Sequence, residues 1–206
     1  MSRSTQAPAA VRPAPRLVAA DAVAPQPWRN GGGRTRELLA WPSGQDWQLR
    51  ISVADIEANG PFSAFDGVQR WFAVLEGHGV VLGFGSDERR VLREDPPLHF
   101  DGARAPGCRL VDGPTRDLNL MLRRASGTML AARRGTSWQP DARACGFFAA
   151  VAGELGCAGD AWRLGPRTLA WFAQSPAAAL AFRTDVSVQG TIGWFLSFTP
   201  HAPHDA

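Results

Sequence analysis

The sequence predicts an all-β protein built as two similar sandwich or barrel modules that share a continuous interface. Three observations point there. Several segments alternate apolar and polar residues with a period of two, short strand-like runs recur between Gly, Pro and Asp turn signals, and no segment carries a sustained 3.6-residue apolar pattern. With 206 residues and 45% hydrophobic content, the chain has material for one large core or two small joined ones.

The elements follow in chain order. Trp28-Arg-Asn-Gly-Gly-Gly-Arg-Thr-Arg-Glu37 reads as a loop, because three consecutive glycines carry a large backbone entropy cost and point to unusual dihedrals or close backbone approach. Trp47, Leu49, Ile51 and Val53 then alternate with Gln48, Arg50, Ser52 and Ala54, so Arg50 and Ser52 share the face opposite the aliphatic set. After the Asn59-Gly60-Pro61 turn, residues 62–67 form a compact connection that tucks Phe62 and Phe65 inward. A second strand runs from Arg70 to Leu75, Glu76-Gly77-His78-Gly79 supplies a turn, and Val80 to Phe84 returns as its hairpin mate. Ser86 to Arg90 reads as an exposed loop tip. Short strands are expected at 97–100, 108–111 and 117–122, and in the last of these Leu118, Leu120 and Leu122 oppose Asp117, Asn119 and Met121. The second half repeats the style at 147–151, 162–164, 168–172, 179–183 and 191–198. The resulting division is a flexible N-terminal tail at 1–20, a first β module at 21–125, a second and smaller module packed on it at 126–199, and a C-terminal tail at 200–206.

Composition narrows the function classes. All 22 basic residues are arginine, tyrosine is absent, and the net charge is only +3, with acidic residues scattered through the same segments. No basic stripe forms, which argues against nucleic acid as a partner. Any basic pocket here is a guanidinium pocket, suited to planar recognition of carboxylate or phosphate. Cys108, Cys145 and Cys157 make an odd count with no metal-ligand spacing, and the first twenty residues lack an apolar signal region, so a reducing cytoplasm is the expected location. No stretch approaches the run of about 18 apolar residues that crosses a bilayer, so no membrane partner is expected.

The residues able to carry chemistry are few. His78, His99, His201 and His204 include no pair at ligand spacing, so neither a metal nor another cofactor is expected. No Gly-x-Ser-x-Gly elbow occurs, and Cys108 lies in a strand-like run that reads as core. Acid or base catalysis through His99 or Glu37 stays open, and no catalytic residue is assigned. The glycine run lacks the spacing and the lysine of a nucleotide phosphate loop, although successive N–H donors there could face an anion. The sharper constellation is Arg50, Arg70 and Asn119, which project from the polar faces of separate strands and can converge in a cavity. Buried guanidinium groups need partners, either a bound anion or carboxylates of the protein itself, with Glu37 and Asp117 at hand.

These residues resemble the HutD/Ves family. The resemblance rests on residues 28–37, on Ile51-Ser-Val-Ala-Asp-Ile56, on Gly60-Pro-Phe-Ser-Ala-Phe-Asp-Gly67 continuing to Gly79, and on Leu110-Val-Asp-Gly-Pro-Thr-Arg-Asp-Leu-Asn-Leu-Met121. It is specific from Pro25 to Arg124 and weaker beyond. It implies a bicupin of the RmlC-like jelly-roll class without the usual metal-binding histidines. It also implies a HutD-like binder or regulator linked to histidine utilisation, for which formylglutamate is a proposed ligand, or a Ves-like role in stress and cold response. By position, the family's loop and polar residues map to Asn30, Arg34, Thr35 and Glu37 and to Arg70, Asp117 and Asn119.

Three functions follow as expectations. The first is a cytoplasmic protein that binds a small anionic metabolite through Arg50, Arg70 and Asn119 in a regulatory role, with Asn30, Arg34, Thr35, Glu37 and Asp117 as loop and supporting residues. The second is a metal-independent isomerase or hydrolase acting on a small carboxylate. The third is an interaction protein whose arginines form only an internal ion network. A homodimer is compatible with exposed sandwich edges.

Overall fold

The computed structural model describes residues 14–202 of the chain. In chain order the strands of the first part are β1 (Arg16–Ala19), β2 (Gln26–Pro27), β3 (Gly33–Pro42), β4 (Trp47–Ile56), β5 (Gly60–Pro61), β6 (Val68–Glu76), β7 (Val80–Phe84), β8 (Asp87–Val91), β9 (Leu98–Asp101), β10 (Gly107–Leu110) and β11 (Thr115–Arg123). Those of the second are β12 (Ala125–Ser126), β13 (Met129–Ala132), β14 (Ser137–Trp138), β15 (Ala144–Ala149), β16 (Gly153–Cys157), β17 (Asp160–Leu164), β18 (Thr168–Phe172), β19 (Leu180–Arg183) and β20 (Gly193–Pro200). Among the described residues no helix is long and apolar enough to cross a membrane.

The strands make four sheets. Sheet I has the order β2-β3-β4-β11-β6-β9 and faces sheet II, β5-β10-β7-β8; sheet III has the order β1-β18-β15-β20-β12, with β13 also on β20, and faces sheet IV, β14-β19-β16-β17. Three apolar clusters fix the stacking. One joins sheets I and II through Phe72, Val74, Val80, Leu82 and Phe100. A second joins sheets III and IV through Phe147, Phe172, Phe182 and Phe195. The largest joins the two sandwiches back to back, with Leu49, Ile51, Val53, Leu118, Leu120 and Leu122 of sheet I against Phe148, Leu169, Trp194 and Leu196 of sheet III. The protein is thus an all-β pair of cupin-like sandwiches.

Pleating explains the division of labour in sheet I. Side chains alternate across a strand, so β4 and β11 send their aliphatic residues into the seam between the modules and their polar residues into the first sandwich. Six seam side chains, from Leu49 to Leu122, are 0 to 1% exposed. Each contributes roughly 1.5 to 3 kcal/mol through burial. Ion pairs rim the seam: Arg116 donates to Asp55 at 2.6 Å, and Arg167 donates to Glu76 at 3.1 Å and to Asp21 at 3.1 Å. Burial pushes the Asp55 carboxyl up, but hydrogen bonds from Arg116 and Arg36 outweigh it and hold the group below its ordinary range. The Arg167 hydrogen bond does the same for Asp21.

Four expectations need correction. Residues 1–20 were expected to be a flexible tail, but Arg16–Ala19 is strand β1, an edge of sheet III paired with β18, so this segment lies on the second module. Residues 1–13 and 203–206 lie outside the described residues. β6 and β7 are not hairpin mates; β6 pairs with β11 and β9, whereas β7 pairs with β8 and β10. The Glu76–Gly79 turn instead carries the chain from one sheet to the facing one, with Gly77 and Gly79 both at φ +88°, a region that disfavours side-chain-bearing residues. Residues 87–91 form the exposed edge strand β8 and are no loop tip. Finally, the glycine-rich loop ends at Gly32, and Gly33 already opens the ten-residue strand β3.

Candidate anion-binding site

The inner face of sheet I places polar groups inside the first sandwich. Strand register sets them in rungs: Glu37 lies across from Ser52, Ser52 from Asn119 and Asn119 from Phe72, while the next rung runs Ala40, Arg50, Met121, Arg70 and Phe100. Arg70 and Asn119 are buried, at 7% and 5% exposure, and Asp117 is at 1%. Arg70 Nη2 donates to Asn119 Oδ1 at 3.0 Å, and Asn119 Nδ2 donates to Asp117 Oδ2. Asn119 therefore stands between the cation and the acid.

Rings enclose the guanidinium. Its central carbon lies 5.0 Å from the Phe62 ring centre, 5.1 Å from Phe100 and 5.7 Å from Phe65. Those faces stabilise a cation but accept few of its hydrogen bonds. Two buried polar atoms in this cluster, Arg70 Nε and Asp117 Oδ1, have no hydrogen-bond partner among the described residues.

Electrostatics follow from burial. Burial pushes the Asp117 carboxyl up to about 8, against the opposing effects of the Asn119 hydrogen bond and the Arg70 charge. Burial also pulls Arg70 down to about 10, partly offset by Asp117 and reinforced by Arg50, which leaves it cationic at neutral pH. Near neutrality the interior thus holds the Arg70 charge beside a protonated acid. Cys108 is likewise pushed up to about 12 by burial, with Asp117 adding to the effect, so its thiol is no nucleophile.

Arg50 lies on the same face but nearer solvent, and its Nε donates to Glu37 Oε2 at 2.8 Å. Thr35, also on this face, accepts from Trp28 Nε1 at 2.7 Å. Among the described residues the second sandwich shows no counterpart. Its interior is filled by Phe147, Phe172, Phe182, Phe195 and Leu155, all at 3% exposure or less. Two surface depressions, one lined by residues 134–136 and 181–184 and one lined by residues 59–61 and 107–109 among others, include none of Glu37, Arg50, Arg70, Asp117 and Asn119. Among the described residues no group of three or more His, Cys, Asp or Glu is placed to hold a metal ion.

The HutD family model matches residues 20–191, across both sandwiches. The chain belongs to the HutD family. It is 38% identical over 98 residues to Protein Ves of Cronobacter sakazakii (strain ATCC BAA-894), covering 47% of this chain and 54% of that protein. It is 40% identical over 98 residues to an uncharacterized 21.2 kDa protein in the hutC 3' region of Pseudomonas putida, covering 46% and 51%. The chain spans about half the length of the curated relatives it matches. Among solved structures, HutD from Pseudomonas fluorescens SBW25 superposes with a TM-score of 0.78 at 26% identity, covering 92% of this chain and all of that one.

Within this HutD-family chain the sequence-predicted residues separate into two groups, with Arg34 and Asn30 apart from both. Arg70, Asn119 and Asp117 are linked by direct hydrogen bonds. Arg50, Glu37 and Thr35 share their face, with Glu37 and Thr35 on strand β3 where a loop was expected. Arg34 departs from the expectation altogether. One residue out of phase with Thr35, it projects from the other face and pairs with Glu57 and, at 3.4 Å, with Asp55. Asn30 stays in the turn, where its Oδ1 accepts from the Gly32 N–H at 3.1 Å. The Trp28 and Gly31 N–H groups are also spent, on Gly33 O and Trp28 O, so the loop does not aim a row of donors at an anion. Gly33 is there for close approach, since an added Cβ would lie 2.2 Å from Asp55 O.

His99 lies outside the cluster. It stacks on Trp71 with ring centres 4.5 Å apart, and both sit one residue out of phase with the inward Arg70 and Phe100. The sequence set Ser52 on the Arg50 face and turned Phe62 and Phe65 inward, but it marked neither Ser52 nor an aromatic cage as part of the site. Ser52 was signalled by its phase with Arg50; the convergence of Phe62, Phe65 and Phe100 on Arg70 depends on the fold of the 62–67 connection and carried no local signal.

Proposed function

We propose that this protein binds a small carboxylated metabolite inside its first sandwich, with Arg70, Asn119 and Arg50 as the contacting side chains, and serves a regulatory role in the cytoplasm. One observation supports the reading above others: a buried guanidinium whose Nε has no acceptor among the described residues, beside an acid that burial keeps protonated. A buried charge without a counter-charge is costly, and an anionic ligand offsets that cost. In this reading residues 21–125 form the binding module, and residues 126–199 close its back. The resemblance to HutD makes formylglutamate the first ligand to try.

The Arg50–Glu37 pair favours a second reading, in which the arginines form an internal network and the protein acts through its surface. Calorimetry with formylglutamate, glutamate, urocanate and phosphate separates the two. The binding reading expects one of these to bind, and Arg70→Met to abolish that binding while the protein stays folded. Each charge-assisted hydrogen bond contributes about 1.5 to 3 kcal/mol, so losing one weakens binding by roughly tenfold to a hundredfold. Silence with all four ligands, with Arg70→Met unfolding the chain, supports the internal network.

A further inference from the structure

Glu37 holds Arg50 through a single contact, Arg50 Nε to Glu37 Oε2 at 2.8 Å. The pair is partly open to solvent, with side-chain exposures of 20% and 29%, whereas Arg70 behind it is buried. A partly exposed, one-contact ion pair is among the weak ones, and a planar carboxylate that engages a guanidinium fork does better. The residues that adjoin the pair are small. After Glu37 the β3–β4 register shifts, which sends Leu38 and Leu39 both toward the seam and sets the small Ala40 opposite Arg50. Gly44 lies against Glu37, where an added Cβ would come 3.6 Å from Oε1. Glu37 is thus a tethered carboxylate on a guanidinium one rung from Asn119, with small residues as neighbours.

We infer that Glu37 is a built-in competitor that sets ligand specificity: it occupies Arg50 until the second carboxylate of a dicarboxylate displaces it, the first carboxylate being held by Arg70. This rests on the binding reading above. A monocarboxylate would meet Arg70 alone and leave the Arg50–Glu37 pair closed.

Glutarate and butyrate serve as probes, measured by calorimetry on the full chain as wild type, Glu37→Gln, Glu37→Asp and Arg70→Met, each first shown by thermal melting to be folded. The expected result is that Glu37→Gln binds glutarate about three- to tenfold more tightly than wild type, while butyrate affinity changes by less than about twofold. Glu37→Asp keeps the charge but loses one methylene of reach, and it should follow Glu37→Gln. Equal gains for both probes, or an Asp variant that matches wild type, would show that only net charge matters and overturn the inference. Unchanged or weaker glutarate binding in Glu37→Gln would overturn it too, while leaving the Arg70 site standing if Arg70→Met abolishes binding. No binding of either probe to any of the folded proteins removes the site itself, and the inference with it.

Discussion

Asp117 is buried at 1% exposure with one oxygen hydrogen-bonded by Asn119 and the other without a partner, so its protonation state decides the charge of the whole interior. Its folded pKa, about 8, lies above the ordinary value of 3.8. The folded state therefore holds a proton that the unfolded chain releases. Stability from this group is complete below about pH 4, falls as pH rises toward 8, and levels off beyond. Asp117→Asn keeps an acceptor for Asn119 and should flatten the pH dependence of the melting temperature between pH 5 and about 8. A variant as pH-sensitive as wild type would remove Asp117 from this role. Ligand binding carries the same sign. Once Asp117 ionises, the protein supplies its own counter-charge to Arg70, so anion affinity should drop as pH rises through about 8, and a titration at pH 6.5 and 9 reads it directly.

At the scale of elements, β4 and β11 carry the site and the seam on opposite faces of the same strands. Leu120→Ala removes a side chain at 0% exposure from the seam and should cost about 2 to 5 kcal/mol in denaturant unfolding, while leaving the inward Asn119 in place. Gly33→Ala should also destabilise, by roughly 1 to 3 kcal/mol, because the new Cβ meets Asp55 O and the Trp28 ring. These strands were legible because alternation is a local signal: Leu118, Leu120 and Leu122 against Asp117, Asn119 and Met121 specify both faces at once. Partnership was not legible. The turn after Glu76 reads like a hairpin turn, yet its two positive-φ glycines pass the chain between sheets, and nothing near Val80 names β10 as its neighbour. In β3 the triple glycine and the register shift after Glu37 broke the period-two pattern, so residues 33–37 looked like a loop and the opposite facing of Arg34 and Thr35 went unread.

The whole molecule joins two sandwiches of unequal chemistry. The first keeps a polar interior, and the second is filled with aromatic side chains that leave no charge to satisfy. The internal similarity of the halves was visible in the repeated run of short strands between turn signals, whereas β1 was not, because its partner β18 lies some 150 residues away and local pattern does not reach that far. The shared seam of leucines, closed at its rim by Arg167 with Asp21 and Glu76, should make the modules unfold together. Hydrogen exchange checks this: amides of β11 and β15 should share one opening free energy, and Leu120→Ala should lower both equally. Protection lost in one module alone would mean that the seam does not couple them.

The central claim is that the Arg70 guanidinium meets a ligand anion inside the first sandwich. Its most direct test is a proton–nitrogen NMR spectrum of the arginine Nε–H groups, with the Arg70 signal assigned by its loss in Arg70→Met, recorded as formylglutamate is added. This one signal should shift strongly and saturate with the same affinity found by calorimetry. An Arg70 signal that stays fixed while the ligand binds elsewhere, or while none of the four candidate ligands binds at all, would contradict it.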